Sequence, residues 1–450
     1  MRTEQDSLGE MQIPADALYG IHTLRAYNNF RISYVPVSDF PELVRAMAMV
    51  KKAAAIANCK LGVLPKSKAD PIQAACDELI AGKHHDAFIV DMIQGGAGTS
   101  TNMNANEVIA NLALKRMGHG LADYDHLHPN DDVNKSQSTN DVYPTALRLA
   151  ILLNMQSLTA EHRRLCEAFE AKATEFDGIP KVGRTQLQDA VPMTLGQEFR
   201  SFANTIEEDI DRLQDVSKLL LEVNLGGTAI GTGVNTPANY TDVAVAQLMQ
   251  VSGFPVRAAR NLVEASSDLG AFVAFSGILK RVAVKLSKIC NDLRLLSSGP
   301  RSGIGEIKLP AVQAGSSIMP GKVNPVIPEV VNQVAYQVIG NDLTVTMAAE
   351  AGQLQLNAME PVAIFNILQS IRILKRAMAC LTDRCVVGIE ADQERCTYLL
   401  ENSLALATSL VPQIGYEKAA KVAKHALNNG LSVPEALAAL GITADLTSAA

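Results

Sequence analysis

The sequence contains no tryptophan, and aromatic residues make up only 4% of it. A sandwich or barrel relies on aromatic and β-branched side chains to fill its pleated interior. Their scarcity beside abundant Ala, Leu and Val therefore points to helices. Also missing is any run of about 18 apolar residues that would span a bilayer. The opening stretch "MRTEQDSLGEMQIP" has no apolar signal core. The seven cysteines (Cys59, Cys76, Cys166, Cys290, Cys380, Cys385 and Cys396) show no C-x-x-C or other metal-ligand spacing. An odd number without a framework indicates reduced thiols, and a cytoplasmic protein is expected. The net charge of −7 disfavours nucleic acid and anionic membrane as partners. A site for an acidic substrate must then build its positive field locally.

What is present is a long, regular pattern. With 450 residues, 48% of them hydrophobic, the chain can bury enough core for two or three domains. No internal repeat or low-complexity linker appears. Up to about residue 139, short helical patterns (Pro41–Cys59 and Lys68–Gly82) alternate with polar, Gly-rich or Asn-rich loops. From Asp141 to Phe176, Leu195 to Val223, Val263 to Leu296 and Glu329 to Ala351, apolar residues recur at helical spacing. Phe272, Phe275, Leu279, Val282, Leu286, Ile289, Leu293 and Leu296 follow steps of three and four. A helix of about 30 residues spans roughly 45 Å, so a mainly α fold around a long-helix bundle is expected.

The stripes "AFVAFSGILKRVAVKL" and "VVNQVAYQVIG" exceed what one small antiparallel bundle covers. Homo-oligomerisation through these helices is expected, a thick monomeric core being the plainer alternative. After about residue 395 the pattern shortens to Leu399–Leu410, Tyr416–Asn428 and Val433–Leu440. The expected division is an N-terminal domain over 1–139, a long-helix domain over 140–394 and a small helical domain over 395–450.

Chemistry concentrates in the polar loops. In "AGSSIMPGKVNPV" (314–326), Pro320-Gly321 signals a turn. Asn324-Pro325 fits a helix N-cap followed by the first helical residue. The positive end of that helix and Lys322 would attract a carboxylate, with Ser316 and Ser317 offering hydroxyls beside it. The plain alternative is a flexible connector with a routine cap. "NKSQSTNDVYPT" (134–145) places Ser138, Thr139 and Asn140 at a helix start, where they are ordinary caps but also form an anion cradle. "GGAGTSTNMNANEV" (95–108) supplies Thr99, Ser100 and Asn102 after a glycine turn. "GRTQLQDAVPMT" (183–194) is read as a further loop. "GGTAIGTG" (226–233) lacks the Lys and spacing of a phosphate loop, and a nucleotide is excluded there. The polar loops share many neutral donors and one lysine. Such a set suits a small polyanion and holds a more highly charged intermediate better still.

"GSSIMPGKVNP" resembles the signature of the aspartase/fumarase superfamily. "ADALYGIHTLRAYNNF", "GGAGTSTNMNANEV", "KSQSTNDVYPT", "GRTQLQDAVPMTLGQEF", "LLEVNLGGTAIGTGVNTP" and "AAEAGQLQLNAMEP" resemble its aspartate ammonia-lyase branch. The resemblance covers nearly the whole chain. It implies a three-domain, mainly α subunit and a homotetramer built on a twenty-helix core, each active site drawing loops from three subunits. It also implies anti elimination of ammonia from L-aspartate, giving fumarate reversibly. No cofactor is expected, and no residue of the site is read as a metal ligand. Ser316 matches the base that removes the Cβ proton. Thr99, Ser138, Thr139 and Ser317 match the holders of the resulting aci-carboxylate. Lys322 and Asn324 match the α-carboxylate site, and Asn140, Thr185 and Gln186 the surroundings of the amino group.

Gln186 bears on the choice of reaction. Many superfamily members carry His at this position, paired with a glutamate that matches Glu329. A hydratase benefits from an acid/base imidazole, whereas an already protonated amine leaves without one. This favours ammonia-lyase over the alternative, fumarate hydratase. A non-catalytic relative, as among lens crystallins, is the third reading, and retention of Ser316, Lys322, Asn324 and the "STN" triplet opposes it. Gly321 stands where some aspartases have Ala. The end at "LGITADLTSAA" is shorter than the resemblance implies for the C-terminal domain, and it removes no matched catalytic residue. His84, His85, His119, His126, His128 and His162 are expected on surfaces or loops. His22 and Arg25 are expected to be structural.

Overall fold

The computed structural model describes residues 1–445 and is mainly α-helical. A hairpin, β1 (Arg2–Asp6) and β2 (Gly9–Ile13), opens the chain. Then follow α1 (Ile21–Asn29), α2 (Pro41–Lys60), α3 (Lys66–Ile80), α4 (Thr99–Arg116) and α5 (Thr139–Glu175). A second antiparallel hairpin, β3 (Pro180–Thr185) and β4 (Gln188–Thr194), leads to α6 (Leu195–Ser217). After it come α7 (Tyr240–Ser252), α8 (Gly270–Leu296), α9 (Val326–Glu350) and α10 (Glu360–Arg384). Shorter helices α11 (Gln393–Glu401), α12 (Tyr416–Asn429) and α13 (Val433–Ala439) close the described chain. No described helix is long and apolar enough to cross a membrane. The seven cysteines are free.

Periodicity placed four long helices, though the one expected from Val263 begins at Gly270 and the one expected to reach Val223 ends at Ser217; all eight apolar positions read for α8 are buried. Helix α10 escaped the reading, although Ile364, Ile367, Leu368, Ile371 and Leu374 line its buried face. Two stretches read as loops are regular structure. Residues 99–108 open α4, and 183–194 lie mostly in the second hairpin. In α4 the polar residues Asn102, Asn104, Asn106, Glu107 and Asn111 are themselves buried, so no apolar stripe marks the helix.

The chain divides into two compact units, residues 1–158, 212–280 and 337–372, and residues 159–211, 281–336 and 373–450. In the first, alanines along α2 (Ala46, Ala48, Ala53, Ala54 and Ala57) are buried where that helix meets α3 and α7. Small side chains there let helix axes approach. Gly20, His22 and Thr23 donate their backbone N–H groups to buried Glu107 at 2.8, 2.9 and 3.1 Å. Those bonds cap the start of α1. Arg25 pairs with Asp6 at 2.7 Å, a structural role as expected.

In the second unit, Phe169, Phe176, Phe199 and Phe202 form an aromatic cluster with ring centroids 5.1–6.1 Å apart. The terminal helices bury Leu400, Leu406, Leu410, Val422 and Val433 together with Val182 of β3. They thereby support the second hairpin. His162 departs from expectation: it is buried, and its Nε2 lies 2.9 Å from the Ile206 carbonyl. Burial lowers its pKa.

Candidate active site

In the first unit two helix N-termini are tied together. The turn before α4 runs through Gly96, Ala97 and Gly98, all at positive φ. Gly98 is required twice over. Its φ is +86°, and a Cβ there would lie 2.3 Å from the buried Tyr143 ring of α5. Thr99 is the first residue of α4 and is exposed. One turn on, Asn102 donates from Nδ2 to Thr139 Oγ1 (3.0 Å) and to Asn134 Oδ1 (3.2 Å). Thr99, Ser138 and Thr139 thus stand at the starts of two linked helices, whose positive dipole ends favour an anion.

Ser138 also caps α5. Its Oγ accepts from Asn140 N–H at 3.3 Å, and its own N–H donates to Asp141 Oδ1 at 2.9 Å. Capping and anion binding are compatible, because the hydroxyl keeps its proton to donate. Asn140 donates from Nδ2 to the Ala229 carbonyl at 2.8 Å. That leaves its Oδ1 to accept from an ammonium group.

The floor of this cradle was not legible in the sequence. Asp141 is fully buried, and burial pushes its pKa up to about 6 against backbone N–H donors from Ser138, Gly226 and Thr228. The glycine-rich 226–233 segment, for which the sequence suggested no role, donates two backbone N–H groups to this cap residue. Lys51 is also fully buried, and burial pushes its pKa down to about 7. Its Nζ donates to Asn134 Oδ1 at 2.7 Å and Gln137 Oε1 at 3.0 Å. The only sequence signal was a lysine at a core position of an alanine-rich helix, and Lys52 beside it hid that signal.

The second unit carries the signature loop. Ser316 Oγ accepts from the N–H groups of Ile318 (3.2 Å) and Met319 (3.0 Å). Two donors on one hydroxyl oxygen favour its deprotonated form. The neck of the loop is closed by Gly315 N–H donating to the Lys322 carbonyl at 2.9 Å. Asn324 Nδ2 donates to the Gly315 carbonyl. A Cβ on Gly315 would lie 2.3 Å from the Lys322 carbonyl oxygen. Gly321, at φ +79°, makes the predicted turn. Lys322 and Ser317 are exposed, and among the described residues Lys322 has no ion-pair partner. One expectation needs correction: helix α9 begins at Val326, not Pro325, and the Asn324 side chain clips the loop neck instead of capping the helix.

Thr185 and Gln186 stand exposed at the tip of the second hairpin. Gln186 and Leu187 both have positive φ (54° and 64°), as a tight two-residue hairpin turn demands. A buried ion cluster anchors the strand below them. Glu306, fully buried, meets Arg184 at 2.9 Å and Lys181 at 2.8 Å, and Lys181 also contacts Glu198. Among the described residues no hydrogen bond or ion pair joins the hairpin tip to the signature loop. The chain thus presents three groups: Thr99 with Ser138, Thr139 and Asn140; Thr185 with Gln186; and Ser316 with Ser317, Lys322 and Asn324. A cleft of about 390 Å³ lined by Tyr27, Phe30, Arg31 and Tyr34 includes none of them.

Residues 9–340 match the family described as lyase, and residues 406–449 match the fumarase C C-terminus. The chain belongs to the aspartase/fumarase superfamily of lyases. Within that superfamily, the aspartate ammonia-lyase of Pseudomonas aeruginosa is 62% identical over 96% of this chain and 92% of its own length. The aspartate ammonia-lyase of Escherichia coli K12 is 57% identical over 98% and 93%. A crystal structure of fumarate lyase:delta crystallin from Brucella melitensis, bound to cobalt, superposes with a TM-score of 0.96. It has 63% identity and covers 99% of this chain and 97% of its own. A class II fumarase from Schistosoma mansoni gives 0.92 at 34% identity, covering 98% and 96%. The chain therefore shares the aspartase/fumarase fold and is a carbon–nitrogen lyase.

Proposed function

We infer that this enzyme reversibly converts L-aspartate to fumarate and ammonia, and that Ser316 is the base. The observation that carries the reading is the pair of backbone N–H groups on Ser316 Oγ. A free serine hydroxyl is far too weakly acidic to lose its proton at neutral pH, and stabilising the oxyanion is what the role requires. The alkoxide takes the Cβ proton, and the electron pair passes into the β-carboxyl group as a doubly charged aci-carboxylate. Thr99, Ser138, Thr139 and Ser317 donate to it, each such donor contributing a few kcal/mol in related oxyanion sites. The intermediate collapses by breaking the Cα–N bond, and the amine leaves as neutral ammonia. Lys322 and Asn324 hold the α-carboxylate, and Asn140, Thr185 and Gln186 surround the nitrogen. Gln186 offers an amide where a hydratase would want a titrating imidazole.

The reading requires three groups on separate parts of the chain to converge, which a homotetramer supplies. An exposed apolar stripe on α9 supports that assembly: Tyr336, Ile339, Leu343 and Met347 follow helical spacing. We place the enzyme in the cytoplasm, with the domain division 1–139, 140–394 and 395–450. Incubating the protein with fumarate, with and without ammonium, tests the activity. L-Aspartate formed only with ammonium is the expected product. L-Malate as the main product would replace the reading with a hydratase.

A further inference from the structure

In the first unit, the loop that follows α4 gathers two imidazoles and a carboxylate around one point. His119 Nδ1 lies 3.4 Å from Asp123 Oδ2, and His126 Nε2 lies 3.8 Å from the same oxygen. The two rings are stacked, with centroids 3.8 Å apart and planes 15° apart. One potential ligand atom from each residue falls within 4.8 Å of the others. Zinc–nitrogen and zinc–oxygen bonds are about 2.0–2.2 Å, so ligand atoms on one ion stand roughly 3–4 Å apart. Small side-chain rotations close the difference.

The backbone beneath this cluster is already fixed. His119 N–H donates to the Leu114 carbonyl, and Ala122 N–H to Asn111 Oδ1 at 2.7 Å. Asn111 in turn holds the Leu18 carbonyl at 2.8 Å, and His126 N–H donates to the Asp123 carbonyl. The neighbouring His128 is committed elsewhere, since its Nδ1 accepts from the N–H groups of Asn130 and Asp131.

We propose that His119, Asp123 and His126 form a surface site for a borderline divalent transition metal, such as Zn(II), with water completing its coordination. Two imidazoles and one carboxylate select this class over Mg(II) or Ca(II), which prefer all-oxygen sets. The three side chains are only partly covered, at 30–51% side-chain exposure, so an ion has open access. Binding requires the stacked rings to swing so that both nitrogen lone pairs aim at the ion. The bound metal then staples the loop to the end of α4.

Untagged, chelator-treated full-length protein titrated with zinc chloride in a calorimeter tests the site. The expected result is one zinc bound per chain, with affinity falling at least tenfold in H119A, D123N and H126Q and unchanged in H128A. Added zinc should raise the melting temperature of the parent and not of H126Q. Cobalt(II) chloride should give the visible spectrum of a nitrogen-ligated ion in the parent alone. H126Q alters a half-exposed ring, so it decides the matter even if H119A fails to fold. No saturable zinc binding in the parent, or parent-like binding in a folded H126Q, would overturn the proposal, and so would an equal loss in H128A.

Discussion

Gly315→Ala isolates the geometry of the signature loop from its chemistry. The substitution keeps every proposed catalytic side chain and adds a single methyl group. That methyl would sit 2.3 Å from the Lys322 carbonyl oxygen and 2.9 Å from Asn324 N, inside any tolerable contact. The neck of the loop has to open. Doing so breaks the Gly315 N–H bond to the Lys322 carbonyl and the Asn324 amide bond to the Gly315 carbonyl. Each is a hydrogen bond of about 0.5–1.5 kcal/mol net, so the pair together holds the neck by about 1–3 kcal/mol. At about 1.4 kcal/mol per tenfold, the fraction of molecules with Ser316 correctly presented falls about 5- to 150-fold. Fumarate release from L-aspartate, followed by ultraviolet absorbance, should fall by that factor in kcat/KM. The melting temperature should hardly move, because the loop is largely exposed and covers little core. Parent-like turnover in Gly315→Ala would refute the neck as the element presenting the base. A loss of activity that merely tracks a lowered melting temperature would do so equally.

Ser316→Ala should reduce kcat at least about a thousandfold while leaving circular dichroism and melting unchanged; a parent-like rate removes Ser316 as the base. Lys322→Ala should act mainly through substrate binding, since its exposed ammonium has no ion-pair partner among the described residues to lose. A large rise in KM is expected, and an unchanged KM takes Lys322 out of the carboxylate site. Glu360 gives a pH test. Burial raises its pKa to about 8, with Arg148 opposing, whereas an unfolded glutamate titrates near 4.3. Between those values the folded state holds a proton that the unfolded state has released, so this group's contribution to stability falls as pH rises from about 4.3 to 8. Glu360→Gln should flatten the decline of melting temperature with pH across that window. An identical pH profile in the variant would show that Glu360 titrates normally.

Periodic apolar residues placed α2, α5, α6, α8 and α9 because each keeps one continuous stripe at helical spacing. Helix α4 was hidden because asparagines and Glu107 are buried along it beside Val108, Ile109 and Leu112, and hydrophobic pattern is blind to buried polar groups. The hairpin carrying Thr185 and Gln186 passed for a loop. Its turn uses Gln-Leu at positive φ, where a hairpin signal would be Asn-Gly.

Within the candidate site, the types of side chain proposed to react and bind were readable, since hydroxyls, amides and one lysine concentrated in short loops announce their chemistry; their proposed roles came from the resemblance. Their arrangement was not readable. The pair of amides on Ser316, the pinch between Gly315 and Lys322, and the Asn102 bridge between two helix starts are contacts across tens of residues or across a turned backbone. The same holds for buried Lys51 and Asp141, whose shifted pKa values arise from desolvation that no local pattern records. Composition and spacing determined that the chain would be helical and which residue types could do the work. Only tertiary structure decided which of them share a helix end, a loop neck or a buried charge cluster, because burial and hydrogen-bond partnership are properties of the folded surroundings.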